Sequence, residues 1–307
     1  MRHIFIFGIF LFATISHASM SEKLCRKSFS PEDVLPATAT GYQYFSAKNA
    51  TDKTIVLIHG LGGSAYSWRY LAPELSQHFN VLTYDVRGHG ATEPAGNDYS
   101  STLLSHDLKV LIKHLNIKQA HLLGWSMGGR IALRFAHLFP ELTAGVIIED
   151  MHAKGLRKFA ESIPFGLKIY EQSLNREIFF DSEEELHTFL SFRFGHEIPE
   201  EYMRNNVRRE NNKYILQPRA GAGSLAWSSQ GLGEDLTDAL IGIQAPLLFL
   251  AGDPQEKSTV LFDVGIQHIQ KNKPSAQIEI VKNAGHGIHV DEHATFMRLV
   301  KEFVSKP

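Results

Sequence analysis

A serine flanked by glycines, in the stretch Gly124-Trp125-Ser126-Met127-Gly128-Gly129, constrains the fold of this chain more than any other feature. An apolar run precedes it, and a helical pattern follows at residues 130–139. A Gly-x-Ser-x-Gly string between a strand and a helix is typical of a sharp turn that lifts the serine hydroxyl above a sheet edge. Glycines suit this turn because side chains there would collide with the adjacent strand and helix. Ser126 is therefore the candidate nucleophile.

Short apolar runs alternate with helical patterns on both sides of this turn. They lie at residues 54–58, 81–85, 121–124, 145–149, 246–251 and 277–281. Strands that are apolar at nearly every position are buried on both faces, as in a parallel sheet covered by helices. We predict an α/β fold with a doubly wound, mostly parallel sheet, built from residues 39–150 and 242–307. Residues 151–241 lack the alternation and predict an inserted helical cap.

A glycine-rich loop, His59-Gly60-Leu61-Gly62-Gly63, follows the first buried strand. Backbone N–H groups exposed by such a loop can stabilise a developing oxyanion, as can the N–H that follows the nucleophile. The predicted donors are the N–H groups of Leu61 and Met127, with an ordinary glycine turn as the alternative. His59 precedes the nucleophile in the chain, so we expect it to orient the loop and not to act as the base.

Two further polar side chains, Asp253 and His286, each follow an apolar strand. The carboxyl ends of parallel strands share one edge, so these side chains can converge on Ser126. Serine needs a base to take its proton, and an imidazole, with an ordinary pKa of ~6.5, suits this work. We predict His286 as the base and Asp253 as the acid that holds it. Asp150, at the end of the run 145–149, is the alternative acid.

These motifs together resemble the α/β-hydrolase family, in its capped, esterase- and lipase-like branch. The residues that carry the resemblance are His59-Gly60, Gly124-Trp125-Ser126-Met127-Gly128-Gly129, Gly252-Asp253 and Gly285-His286-Gly287. The resemblance implies an eight-stranded, mostly parallel sheet and an acyl-enzyme mechanism without a cofactor. Some proteins of this fold place the acid after the sixth strand, which here implies Asp150.

A serine at position 126 predicts hydrolysis of a carboxylic ester as the main activity. Aromatic residues of the cap suggest a substrate with an apolar acyl group or ring, and they are Phe159, Phe165, Phe179, Phe180, Phe189, Phe192 and Trp227. A lactone, an amide, a thioester or a C–C bond next to a ketone is the alternative target. A binding protein of the same fold without turnover is the alternative from another class.

Composition narrows the choice of partners. The chain has 307 residues and a formal net charge of −2, which argues against nucleic acid as the main partner. Its 16 histidines are scattered and show no zinc-binding spacing, so no metal site is predicted. A small-molecule ester is the expected partner.

The first residues have the pattern of a secretory signal peptide. Arg2 and His3 precede an apolar run at residues 4–15, and Ser16-His17-Ala18 supplies small residues at the cleavage positions. We expect cleavage after Ala18, and thus a secreted or periplasmic protein with no stable membrane span. A retained anchor is the alternative, although the run is shorter than the ~20 residues of a full span.

Overall fold

A computed structural model of the protein describes residues 27–28, 39–49, 51–90, 92, 98–155, 179–194, 198, 200, 203, 207–216, 234–253, 259–261 and 263–306. The predicted signal peptide, residues 1–18, lies outside these ranges. None of the described helices combines the length and the apolar character that a bilayer crossing requires.

The described strands and helices follow one another as expected for an α/β chain. The strands are β1 (Lys27–Ser28), β2 (Ala39–Thr40), β3 (Tyr42–Phe45), β4 (Thr54–Ile58), β5 (Asn80–Tyr84), β6 (Ala120–Trp125), β7 (Thr143–Glu149), β8 (Phe179–Phe180), β9 (Val207–Glu210), β10 (Lys213–Leu216), β11 (Leu247–Gly252) and β12 (Gln277–Val281). The helices are α1 (Leu71–Leu75), α2 (Ser101–His114), α3 (Met127–Leu138), α4 (Glu183–Phe194), α5 (Thr237–Gly242), α6 (Asp263–Asn272), α7 (Ile288–Asp291) and α8 (His293–Ser305). Short 3₁₀ turns occupy Ala65–Trp68 and Pro140–Leu142.

The central sheet has the strand order β12-β11-β7-β6-β4-β5-β3. Its neighbouring strands run parallel except for β3, which pairs with β5 in the antiparallel sense at one edge. Every residue of β4, β6 and β11 is buried, because helices cover both faces of the sheet. The predicted mostly parallel α/β sheet is confirmed, although the described residues form seven strands in it where the resemblance implied eight.

Alternate residues of each central strand belong to two separate hydrophobic cores. In β4, Val56 and Ile58 pack in the core that contains residues of α2 and α3. Their neighbours Ile55 and Leu57 pack in the other core, with residues of α1 and α8. This division follows from the period of two in a strand, and it confirms that the sheet is doubly wound.

The insertion between β7 and β11 departs from the helical cap predicted for residues 151–241. Besides α4 and α5, its described residues include an antiparallel sheet in the order β8-β10-β9. Asn211 and Asn212 join β9 to β10 with positive φ angles of 50° and 60°, as a two-residue hairpin turn of type I′ requires. The insertion therefore contains a small sheet as well as helices, and the Asn-Asn turn is the sequence signal for its hairpin.

Two arginines of α3 tie both ends of the insertion to the core. The buried guanidinium of Arg130 donates hydrogen bonds to the carbonyl oxygens of His152 (3.0 Å) and Lys154 (2.9 Å) at the start of the insertion. It also donates to the carbonyl oxygen of Glu234 near the end of the insertion. Arg134 forms ion pairs with the carboxylates of Glu234 (2.6 Å) and Asp238 (2.9 Å). The two ends of the insertion are thereby fixed on the helix that follows the candidate nucleophile.

Candidate active site

Ser126 occupies a strained turn between β6 and α3. Its backbone has φ 53° and ψ −117°, a conformation that residues other than glycine rarely adopt. Its N–H donates to the carbonyl oxygen of Glu149 on the neighbouring strand β7, at 3.0 Å. Ser126 is partly exposed between buried neighbours, as expected for a side chain raised above the sheet edge.

The flanking glycines are needed because the backbone approaches itself closely at this turn. A Cβ on Gly124 would overlap the carbonyl oxygen of Gly128, and a Cβ on Gly128 would overlap that of Ile58 in β4. Side chains at these positions would push α3 away from the sheet. The sharp turn predicted from the sequence is therefore present, and its glycines have the predicted steric reason.

The glycine-rich loop after β4 lies against the turn that carries Ser126. A Cβ on Gly60 would lie 3.2 Å from Cβ of Ser126. The buried His59 ring holds this loop: its Nε2 accepts from the Val86 N–H at 3.0 Å, so its Nδ1 carries the proton and donates to the Gly60 carbonyl oxygen at 2.8 Å. These contacts agree with the orienting role expected for His59.

Each of the two predicted oxyanion donors follows a residue that the structure places at the serine turn. Leu61 follows Gly60 in the loop, and Met127 is the first residue of α3, where N–H groups have no acceptor within the helix. Both side chains are buried, so their backbones are held by the core. Their role as donors stays a prediction.

The structure brings His286 and Asp150 together. Nδ1 of His286 donates to Oδ2 of Asp150 at 2.6 Å. Oδ2 also accepts from the Val260 N–H (2.7 Å), while Oδ1 accepts from the Leu261 N–H (3.0 Å) and the Thr259 hydroxyl. Burial works to raise the pKa of the Asp150 carboxyl, but the hydrogen bond and charge of His286, with the bonds from Thr259 and Val260, hold that pKa below its ordinary value. Asp150 thus remains a carboxylate that fixes the imidazole.

This geometry corrects the sequence-based preference for Asp253 as the acid. Asp253 follows β11 at the same sheet edge, and its backbone N–H donates to the Ala284 carbonyl oxygen at 2.7 Å. The carboxylate on Nδ1 of His286, however, is that of Asp150, the alternative. Asp150 has φ 45°, so the chain turns sharply directly after β7. Because β7 lies between β6 and β11, its end is next to the end of β6, which Ser126 follows directly.

Two contacts of His286 and its neighbours were missed by sequence reasoning. Nε1 of Trp125 donates to the carbonyl oxygen of His286 at 2.8 Å. Three residues further on, in α7, both the backbone N–H and Nδ1 of His289 donate to Oε1 of Glu149, at 2.9 Å and 2.7 Å. The adjacent acids Glu149-Asp150 and the spacing of His286 and His289 were the available signals.

The described cap aromatics contact residues of the insertion itself. Phe180 is fully buried, with its ring centroid 5.4 Å from that of Phe189, and the Lys213 ammonium lies 3.6 Å from the centre of the Phe179 ring. The remaining candidates, Phe159, Phe165, Trp227 and the side chain of Phe192, lie outside the described part. Within the described ranges, no group of three or more His, Cys, Asp or Glu side chains could hold a metal ion.

Comparison with known proteins identifies the family. The family model described as the alpha/beta hydrolase fold matches residues 53–293. The chain belongs to this family. The resemblance predicted from the motifs is therefore confirmed, and the matched range of this α/β hydrolase contains Ser126, Asp150 and His286.

Relatives of this α/β hydrolase include an esterase and a lipase. A Bacillus subtilis (strain 168) protein provisionally named 2-succinyl-6-hydroxy-2,4-cyclohexadiene-1-carboxylate synthase is 31% identical over 273 residues, which cover 84% of this chain and 92% of that protein. The sn-1-specific diacylglycerol lipase ABHD11 of Mus musculus is 27% identical over 281 residues, covering 84% and 82%. The solved structure of an esterase from a marine microorganism is 25% identical, with a TM-score of 0.65, covering 85% and 98%.

Proposed function

We propose that this α/β hydrolase is a serine esterase that cleaves carboxylic esters with an apolar acyl or aromatic group through an acyl-enzyme intermediate. The observation that carries the proposal is the pairing of His286 with Asp150 at the sheet edge where Ser126 is lifted on its strained turn. A nucleophile, a base and an oriented acid at one edge form the constellation that acyl transfer requires.

The proposed reaction assigns one role to each side chain. Because Nδ1 of His286 donates to Asp150, Nε2 is the ring nitrogen that would accept the Ser126 proton. As Oγ attacks the ester carbonyl carbon, His286 takes this proton, and the Asp150 carboxylate stabilises the imidazolium. The carbonyl oxygen gains negative charge, which the N–H groups of Leu61 and Met127 would stabilise.

The second half of the reaction returns the enzyme to its starting state. His286 gives its proton to the leaving alkoxide, which departs as an alcohol and leaves an ester on Ser126. A water molecule then attacks this acyl-enzyme with His286 again as the base, and the carboxylic acid and free Ser126 are formed. The esterase and lipase names among the relatives support ester cleavage, and the aromatic composition of the insertion supports an apolar substrate group.

Replacement of the nucleophile tests the proposal. We expect Ser126→Ala to lower kcat with short p-nitrophenyl esters by about 10⁴-fold or more and to abolish labelling by a fluorophosphonate probe. Ser76→Ala is the matched control, because its hydroxyl donates to the Pro73 carbonyl oxygen at 2.8 Å on α1, away from the site. Ester turnover that persists in Ser126→Ala would refute the assignment.

The Bacillus subtilis relative supports a second candidate, chemistry on a succinylated, hydroxylated cyclic carboxylate of the kind in its name. The same nucleophile and base would serve it. A panel of p-nitrophenyl esters, lactones, amides and thioesters separates the two candidates. Labelling of Ser126 without turnover of any panel member would favour the second candidate over the esterase.

A further inference from the structure

A second histidine–carboxylate pair lies directly beside the first. Strand β7 ends at Glu149 and is followed directly by Asp150, while His286 lies in the loop after β12 and His289 lies three residues later, in α7. Asp150 binds His286, while Oε1 of Glu149 accepts two hydrogen bonds from His289. The side chains of Glu149 and His289 are buried, with exposed fractions of 0% and 6%.

Glu149 contacts the segments of both the candidate nucleophile and the candidate base. Its backbone carbonyl oxygen accepts the Ser126 N–H at 3.0 Å. Its side chain accepts both the backbone N–H and the ring N–H of His289. One residue of β7 therefore joins the strained turn of Ser126 to α7, the helix that begins two residues after His286.

The indole of Trp125, the residue before Ser126, contacts both His286 and His289. Its ring centroid lies 5.5 Å from that of His286 and 5.1 Å from that of His289, and its Nε1 donates to the His286 carbonyl oxygen. The opposite end of the loop is held as well, because the Gly285 N–H donates to the Asp291 carboxylate at 2.7 Å. The backbone on both sides of His286 is thus fixed by contacts that do not involve Asp150.

We propose that Glu149, acting through His289, is a positioning residue that sets the placement of His286 for proton transfer from Ser126. Asp150 orients the imidazole ring, but it does not determine where the His286 backbone lies. The Glu149–His289 pair contributes to that second constraint, together with the contacts of Trp125 and Asp291. This inference rests on the proposed serine hydrolase function.

Two kinds of substitution at Glu149 and His289 test whether the hydrogen bonds between these side chains matter. Glu149→Gln keeps an oxygen that can accept both donors of His289, and His289→Asn keeps an N–H near the position of Nδ1. Glu149→Leu and His289→Leu remove these groups. We expect both Leu variants to lower kcat by about 10–100-fold with little change in KM, because displacement of a catalytic group by about 1 Å is enough for such a loss. The Gln and Asn variants should retain kcat within a few fold of the wild type.

The measurement is kcat per active site with a p-nitrophenyl ester, normalised by the burst of p-nitrophenol. A merely structural role would reduce the fraction of active protein and leave kcat per burst site unchanged, so the two roles give different results. His187→Leu is the control, because it removes a more exposed histidine–carboxylate pair, between Nε2 of His187 and the Glu183 carboxylate at 3.8 Å, within α4.

Each outcome decides the question. A wild-type protein that neither turns over esters nor labels at Ser126 would overturn the proposed function itself. If the wild type is active, unchanged kcat per burst site in Glu149→Leu and His289→Leu would overturn the positioning role. If Glu149→Leu does not fold, His289→Leu and His289→Asn carry the test alone, and equal kcat in those two variants would overturn the role.

Discussion

Replacement of Asp150 by Asn exchanges one carboxylate oxygen for an NH₂ group and removes the negative charge. The hydrogen bonds around Asp150 determine what this change costs in stability and activity. Each carboxylate oxygen receives two donors: Oδ2 from Val260 and His286, and Oδ1 from Leu261 and Thr259. The NH₂ of an asparagine must replace one of these oxygens. In either orientation it faces a backbone N–H, of Val260 or of Leu261, which cannot become an acceptor. This conflict should lower the free energy of unfolding by roughly 1–3 kcal/mol.

The orientation of the amide also sets the loss of activity. If the NH₂ faces His286, the imidazole must accept at Nδ1 and hold its proton on Nε2, the wrong tautomer for a base, which lowers kcat by about 10⁴-fold in serine proteases. If the oxygen faces His286, only the charge is lost. Two unit charges about 4 Å apart at an effective dielectric constant of 20 interact by about 4 kcal/mol, which corresponds to about 10³-fold in rate. We therefore expect a loss of about 10³- to 10⁴-fold in kcat.

The assay is ester turnover by Asp150→Asn and Asp253→Asn, each with a thermal melt to establish that the variant is folded. Asp253→Asn is the matched control, because it makes the same chemical change at the end of a strand on the same sheet edge. We expect it to lose less than about tenfold, or 1.4 kcal/mol of transition-state stabilisation. A loss of 10³-fold in Asp253→Asn together with near-normal activity in folded Asp150→Asn would refute the assignment of the acid.

Two further predictions concern stability. Gly128→Ala should lower the free energy of unfolding by about 1–3 kcal/mol or prevent soluble expression, because the new Cβ overlaps the Ile58 carbonyl oxygen; an unchanged Tm would contradict this. Burial and the Lys53 charge lower the pKa of His121 to about 4 in the folded protein, whereas in the unfolded chain this histidine has its ordinary pKa of 6.5. As the pH falls, His121 is therefore protonated in the unfolded chain before it is protonated in the folded protein. Stability should therefore decrease from about pH 6.5 to pH 4, by about 3 kcal/mol for this group, and urea unfolding at pH 7 and pH 4.5 should show a smaller decrease in His121→Leu than in the wild type. Equal decreases in the two proteins would exclude this origin.

Local signals were sufficient to predict the sheet and the serine turn. The apolar runs of β4 and β6 report burial on both faces, and the glycines around Ser126 report a turn in which a Cβ does not fit. Both properties belong to a few consecutive residues, so they can be read without knowledge of the rest of the fold.

The choice of acid could not be predicted in the same way. Asp150 and Asp253 both follow buried strands of one sheet edge, and chain order is compatible with either. The decisive facts are the positive φ of Asp150 and the donors from residues 259–261, more than 100 positions away in the chain. The Glu149–His289 pair joins residues 140 positions apart, so only the folded structure reveals it.

The attachment of the insertion to α3 has a consequence for how this enzyme could diversify. Arg130 and Arg134 hold the insertion at its entry and its exit, on the helix that starts directly after Ser126. The residues between those two anchoring points do not form these hydrogen bonds, so a change of sequence there would leave the bonds in place. The sequence of the insertion could therefore change, in evolution or by engineering, while Ser126, Asp150 and His286 keep their positions on the sheet edge.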